Sequence, residues 1–219
     1  MSVECLPASA LAALHAALDL AARESASVPR GALGAADLVS LIGGFYRAEA
    51  LAQDALERAA EQVPVEFRGE LADQIADEGR HVALFASWLD ALPDVVLPAP
   101  TVRQPEHWFV SLLFNELAGH CQFHTLAALL DGERRSAVLH VLGEERVHVV
   151  RLAGWLAGSE AVQVSAHRFC RALSGRMRQF FPREELAPVR AALREVIARL
   201  VTEVAGVVGG VRDAAQVGR

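Results

Sequence analysis

Cysteine is scarce in this chain of 219 residues: Cys5, Cys121 and Cys170 are an odd count at unpaired spacings. That argues against a disulfide framework. Aromatic residues make up only 6% of the chain, and Tyr46 is the one tyrosine. Positive charge is not in excess; the formal net charge is −6, which disfavours a generally nucleic-acid-binding surface. No apolar run approaches the roughly 20 residues that cross a bilayer, so no membrane span is expected. The first residues carry Glu4, His15 and Asp19 and no basic leader, so the expected location is the cytoplasm.

What the chain has is apolar helix-forming residues. Ala, Leu and Val dominate a hydrophobic content of 53%, and Ala and Leu are strong helix formers. Apolar positions recur at helical spacing, and no convincing alternating strand appears. The spacing predicts helices over about 8–24, 35–62, 65–92, 106–130, 133–157, 160–181 and 184–208. Between the third and fourth lies PDVVLPAPTVRQPE, whose four prolines demand an extended crossover. The expected fold is all-α: a four-helix bundle with one long crossover, an N-terminal helix and two C-terminal helices. One domain is expected over 1–219, with a core bundle at 35–158 and a C-terminal helical extension at 159–208.

The central helices contain a repeat. ADEGRHVALFASWLDA, from Ala76, and GEERVHVVRLAGWLAG, from Gly143, align at an offset of sixty-seven residues. Glu78, His81, Val82, Ala86, Trp88 and Leu89 fall on Glu145, His148, Val149, Ala153, Trp155 and Leu156. The same offset carries Glu49 onto Glu116, so a helix pair is written twice. Within each copy the upstream Glu precedes the Glu-x-x-His by twenty-nine residues, and the midpoints fall at Val63–Pro64 and Leu130–Asp131. Both midpoints are at expected turns, so in each antiparallel hairpin the two acids stand at one height. Glu and His three apart share a helix face.

A single Glu-x-x-His reads most simply as a surface acid beside a core histidine. Two copies on one offset read differently. Four buried carboxylates would be prohibitive without cations. Two divalent metals balance them, and two imidazoles complete the set described for bundle di-iron sites. Mixed carboxylate and imidazole ligands suit Fe(II) or Mn(II) rather than structural zinc.

On these residues the chain resembles the ferritin-like non-heme di-iron carboxylate superfamily, as an oxygenase-type member, over about residues 35–158. The resemblance implies metal ligands at Glu49, Glu78, His81, Glu116, Glu145 and His148, with Glu78 and Glu145 bridging. It implies two iron ions, or a manganese–iron pair, with O2 as co-substrate. Asp77 and Glu144 precede the bridging acids, where family members carry an acid bonded to the opposite histidine. Asp77 would then orient His148, and Glu144 would orient His81; the plain alternative is helix-surface charge.

Departures narrow the membership. Phe85 stands where reductase small subunits carry a radical tyrosine. There is no Cys-x-x-Cys for a rubrerythrin-type iron domain, and Gly119 stands where rubrerythrins tend to place a further Glu. N-oxygenases have a histidine where this chain has Val141. Gly119 and His120 follow Glu116 by three and four residues, so both are expected on the site face. Gly119 would leave room for dioxygen or substrate. His120 reads three ways: a seventh ligand, a proton donor during oxygen reduction, or a satisfied core histidine.

The expected activity is oxidation of a small organic substrate by O2, with an external reductase as electron donor. The alternative is ferroxidase or rubrerythrin- or bacterioferritin-like iron and peroxide handling. Arg168, Arg171 and Arg178, with Arg176 and Arg183 nearby, form a basic strip that is either solvated or a dock for an acidic carrier protein, RNA or an anionic substrate. The last helix, with Leu186, Val189, Leu193, Val196, Leu200 and Val204 on one face, is expected to cover the bundle or make a homodimer.

Overall fold

The computed structural model describes residues 6–28, 34–95, 105–181 and 183–211. Among them there are seven α-helices and no strand: α1 (Ala8–Ala26), α2 (Ala35–Ala59), α3 (Arg68–Ala86), α4 (Pro105–Ala127), α5 (Gly132–Trp155), α6 (Glu160–Phe180) and α7 (Ala187–Gly209). Short 3-10 turns at Val65–Phe67 and Glu184–Leu186 lead into α3 and α7. Most of the proline-rich connection between α3 and α4 lies outside the described residues. No helix among the described residues is long and apolar enough to cross a membrane.

Each helix starts and stops for local reasons. At the start of α2, the Gly34 amide donates to the Asp37 carboxylate at 2.9 Å, satisfying one of the helix's orphan donors. Arg183, from the loop before α7, holds the same carboxylate at 2.9 and 3.0 Å, which ties the two ends of the chain's core together. At the start of α6 the Ser159 hydroxyl accepts from the Ala161 amide. Helix α3 ends at Ala86, short of the position 92 that its periodicity predicts. There the backbone tightens: Trp88 and Leu89 donate to the carbonyls of Phe85 and Ala86, three residues back, rather than four. The Trp88 ring stands edge-on against Phe85 and lies under the Arg134 guanidinium, which secures that turn. Helix α2 stops early in the same manner, with Gln62 donating to the Ala59 carbonyl.

Helices α2 and α3 pack as one hairpin, α4 and α5 as a second, and α3 touches α5. Helix α4 packs against α1, α5, α6 and α7. Fifteen of its 23 residues are buried, as befits a helix with neighbours on nearly every side. One contiguous hydrophobic core contains residues of every helix, including α6 and α7. The apolar face of α7 (Val189, Leu193, Val196, Leu200, Val204) is buried within the chain and is not free to receive a second copy.

The few aromatic rings are concentrated at two levels. Phe45, Phe85 and Phe123 stack with centroids 4.5 to 5.9 Å apart. Phe67, Phe109 and Trp155 form a second cluster at 4.7 to 5.5 Å. Counted along α3 and α4, one cluster lies on each side of the level of Glu78 and Glu116. Such pairs add to the stability that their buried area provides.

Candidate metal centre

Four helices each deliver side chains to one point. Glu49 comes from α2, Glu78 and His81 from α3, Glu116 from α4, and Glu145 and His148 from α5. All six are buried. They form two overlapping groups, Glu49–Glu78–His81–Glu145 and Glu78–Glu116–Glu145–His148. Within each group the candidate ligand atoms lie within 4.8 Å of one another. Glu78 and Glu145 belong to both groups.

The two histidines are set in the same way. His81 presents Nδ1 inward, 3.2 Å from Glu49, 3.3 Å from Glu145 and 3.5 Å from Glu78. Its Nε2 faces outward, 2.9 Å from Glu144. His148 Nδ1 lies 3.7 Å from Glu78 and 3.8 Å from Glu116, while its Nε2 is 3.0 Å from Asp77. Each outer carboxylate thus holds the histidine of the opposite hairpin. Arg80 bonds to both outer carboxylates, reaching Glu144 at 2.6 Å and also contacting Asp77.

Charge crowding is severe when protein groups alone occupy the centre. Burial and the neighbouring Glu49 push the Glu78 carboxyl well above the usual carboxylate range; burial and Glu116 do the same to Glu145. Burial also pushes Glu116 upward, but its neighbours Glu145 and His148 outweigh it and hold Glu116 below its ordinary value. Burial disfavours the charged form of both histidines. The neighbouring carboxylates of Glu145, Glu49 and Glu78 more than reverse this at His81, as those of Glu116 and Asp77 do at His148. Carboxyl protons and imidazolium charges therefore perform the neutralisation that divalent cations would otherwise supply. Even so, Glu145 Oε1 and His148 Nδ1 are buried without a hydrogen-bond partner. Both atoms are of the kind a divalent cation takes.

A further residue supports the centre without having stood out in the sequence. Gln74, one turn before Glu78 on α3, is fully buried, and its Nε2 donates to Glu116 Oε1 at 2.8 Å. At the repeat offset its counterpart is Val141, so Glu49 receives no equivalent bond and the halves of the centre differ. The legible signal was an amide on the buried stripe Leu71, Gln74, Glu78, His81, Phe85, one turn before the candidate ligands.

A cavity of about 950 Å³ opens on the carboxylates. Gly119 lines it, as do Phe45, Leu112 and Phe123. Its far wall is α6, through Leu173, Arg176, Met177 and Phe180. Helix α6 is thus part of the site rather than an appendage to it. A Cβ at Gly119 would stand 3.8 Å from the Phe123 ring and 4.0 Å from Glu145 Oε2, ordinary contact distances at the edge of the open space.

His120 is directed elsewhere. Its Nε2–H donates to the Leu18 carbonyl of α1 at 3.2 Å, its ring stands edge-on to His124 at 4.6 Å, and it belongs to neither ligand group. Nearby, Arg146 joins Asp19 at 2.6 Å and His15 at 2.8 Å, binding α5 to α1. His120 is 2% exposed, and burial together with His124 pushes its pKa down to about 4. The unfolded chain therefore takes up a proton at His120 below pH ~6.5 while the folded chain resists it until about 4. Stability from this group is intact above pH ~6.5 and is lost as pH falls through that window, on the order of 3 kcal/mol in all. Urea unfolding of His120→Gln between pH 7 and 4 should show a shallower acid loss than the parent chain. Identical slopes would show that His120 titrates normally.

The basic strip divides. Arg168, Arg171 and Arg178 are exposed and form no ion pair among the described residues. Arg183 is committed to Asp37, and Arg176 turns to the cavity. Cys121 is fully buried, and burial pushes its thiol up to about 12, which suits an inert core residue. Compared with protein-family models, curated proteins and solved structures, the chain gives no significant match.

Proposed function

We propose that the chain is a non-heme di-iron oxygenase whose α2/α3 and α4/α5 hairpins form a ferritin-like four-helix bundle. The observation that carries this reading is the pair of overlapping ligand groups sharing Glu78 and Glu145 on the wall of a large, mainly apolar cavity. The donor set fits: four carboxylates and two imidazoles suit iron or manganese, and partnerless Glu145 Oε1 and His148 Nδ1 lie in the centre. When bound, a pair of reduced metal ions supplies electrons to dioxygen.

The chain's own residues do the rest. Asp77 and Glu144 accept the Nε2 protons of His148 and His81, which fixes both rings with Nδ1 lone pairs turned inward. Gln74 holds one oxygen of Glu116 and leaves the other free. Phe45 and Phe123 wall the cavity and exclude water from beside the carboxylates. Gly119 keeps that wall recessed, so that a small organic substrate can stand next to the centre. On this reading an external reductase is the electron donor.

The test is oxygen uptake by protein loaded with Fe(II), followed alone and with a panel of small apolar acids, amines and aldehydes. Acceleration by a member of the panel, with one product formed per O2 consumed, is the expected result. Rapid oxidation of excess Fe(II), indifferent to every organic compound, would establish iron handling instead and overturn the oxygenase reading.

A further inference from the structure

The cavity beside the carboxylates has one feature that metal chemistry does not require. Arg176 projects from α6 at its rim, open to solvent on one side. Its Nη1 donates to Asn115 Oδ1, and its guanidinium lies over the Phe169 ring with the carbon 4.7 Å from the centroid. An amide and a ring therefore hold the group in place from two directions, and a guanidinium so held loses little freedom when it binds. Of the arginines nearby, Arg183 is paired with Asp37 and Arg190 with Glu184, whereas Arg168, Arg171 and Arg178 are solvated and do not line the cavity. Arg176 lines the cavity and has no paired carboxylate. No carboxylate among the described residues lies within ion-pair distance of it, nor of Arg47, which lines the same cavity from α2. Besides the four carboxylates of the centre, two acids line the cavity, but Asp54 is taken by Arg58, and Asp94 forms an ion pair with neither arginine.

Apart from Ser111, Asn115 and Gln122 the rest of the lining is apolar, with Phe45, Leu112, Phe123, Leu173, Met177 and Phe180 prominent. Asn115 is one turn before Gly119 on α4, so the cation's anchor and the gap beside the metal ligands are about 6 Å apart along the helix. A positive rim, an apolar body and a metal-facing gap one turn away define a ligand with matching parts.

We propose that Arg176 is the anchor for a small amphipathic carboxylic acid, whose carboxylate pairs with the guanidinium while its apolar chain runs into the cavity toward Gly119. The oxidation of that chain rests on the function proposed above; the anchoring does not. The Asn115 amide, bonded to Arg176, offers a further donor beside the same head group, and Arg47 adds a second positive charge to the lining. A bidentate, charge-assisted pair of this kind gives orientation as well as affinity.

The probes are octanoate and 1-octanol, which share a chain and differ in charge. Their binding is measured by calorimetry on metal-loaded and on metal-free protein, with metal content determined separately. Octanoate is expected to bind about tenfold more tightly than octanol in both forms, the gain of one good charged contact at a half-open rim. Arg176→Met should abolish that difference while leaving octanol binding unchanged; Arg176→Lys should restore part of it. If Arg176→Met binds octanoate as tightly as the parent chain, the proposal fails. It fails equally if the preference for octanoate vanishes with the metal, because the acid is then a metal ligand. If the protein holds no metal yet shows the Arg176-dependent preference, the anchor stands and the di-iron reading falls.

Discussion

Glu78→Ala and Glu145→Ala are each expected to lower bound metal from about two ions per chain to fewer than one, because each residue serves both ligand groups. Glu49→Ala and Glu116→Ala remove a member of one group only and should leave about one ion. Metal analysis after anaerobic iron loading distinguishes these outcomes. Equal losses in all four variants would mean that the groups are not two overlapping sites. Glu78 and Glu145 have an opposite effect on the metal-free chain. Burial and Glu49 raise the carboxyl pKa of Glu78, so the folded state binds more protons than the unfolded state above the usual carboxylate range. Stability of the metal-free protein is then present at low pH and declines as pH rises toward the raised value. Glu78→Gln keeps the shape and removes the charge, so in chelator it should unfold at higher urea than the parent at pH 8. A lower midpoint would show that Glu78 is stabilising in its own right, and the argument that the centre is built for cations would lose its basis.

The second large effect concerns access. At Gly119 an added Cβ meets only ordinary contacts, so Gly119→Ala should fold and load metal normally. The further carbons of leucine enter the cavity beside Glu145 Oε2 and Phe123. Gly119→Leu is therefore expected to retain both metals while reacting with O2, or with substrate, at least ~10-fold more slowly, since lost positioning is costly even when ligands are intact. Stopped-flow mixing of the reduced variant with oxygen provides the rate. Parental kinetics in Gly119→Leu would show that the open side of the centre lies elsewhere.

The helices of the described residues and the convergence of six candidate ligands were legible because both follow from periodicity. Hairpin arithmetic places Glu49 beside Glu78 without any knowledge of packing. Gln74 escaped because it has no partner in the repeat; Val141 occupies the equivalent position. The role of α6 escaped for a different reason. Its amphipathic pattern shows that Leu173 and Met177 are buried but cannot say against which helix, and only the packing of α6 on α2 and α4 turns them into a cavity wall. His120 was placed on the site face by spacing from Glu116, yet the Leu18 carbonyl of α1, more than a hundred residues away, takes its N–H. The end of α3 was set by side chains as well: Trp88 folds back on Phe85 rather than continuing the helix.

Arg80 gives the centre an outward connection. Its guanidinium is more than half exposed, yet it touches both Asp77 and Glu144, the two acceptors behind the two histidines. The two ligand groups, each with its own imidazole, thereby share one outer cation. Removing that one exposed charge is expected to reach both imidazoles together rather than one at a time. The two halves of the centre are joined in parallel to a single terminal on the surface.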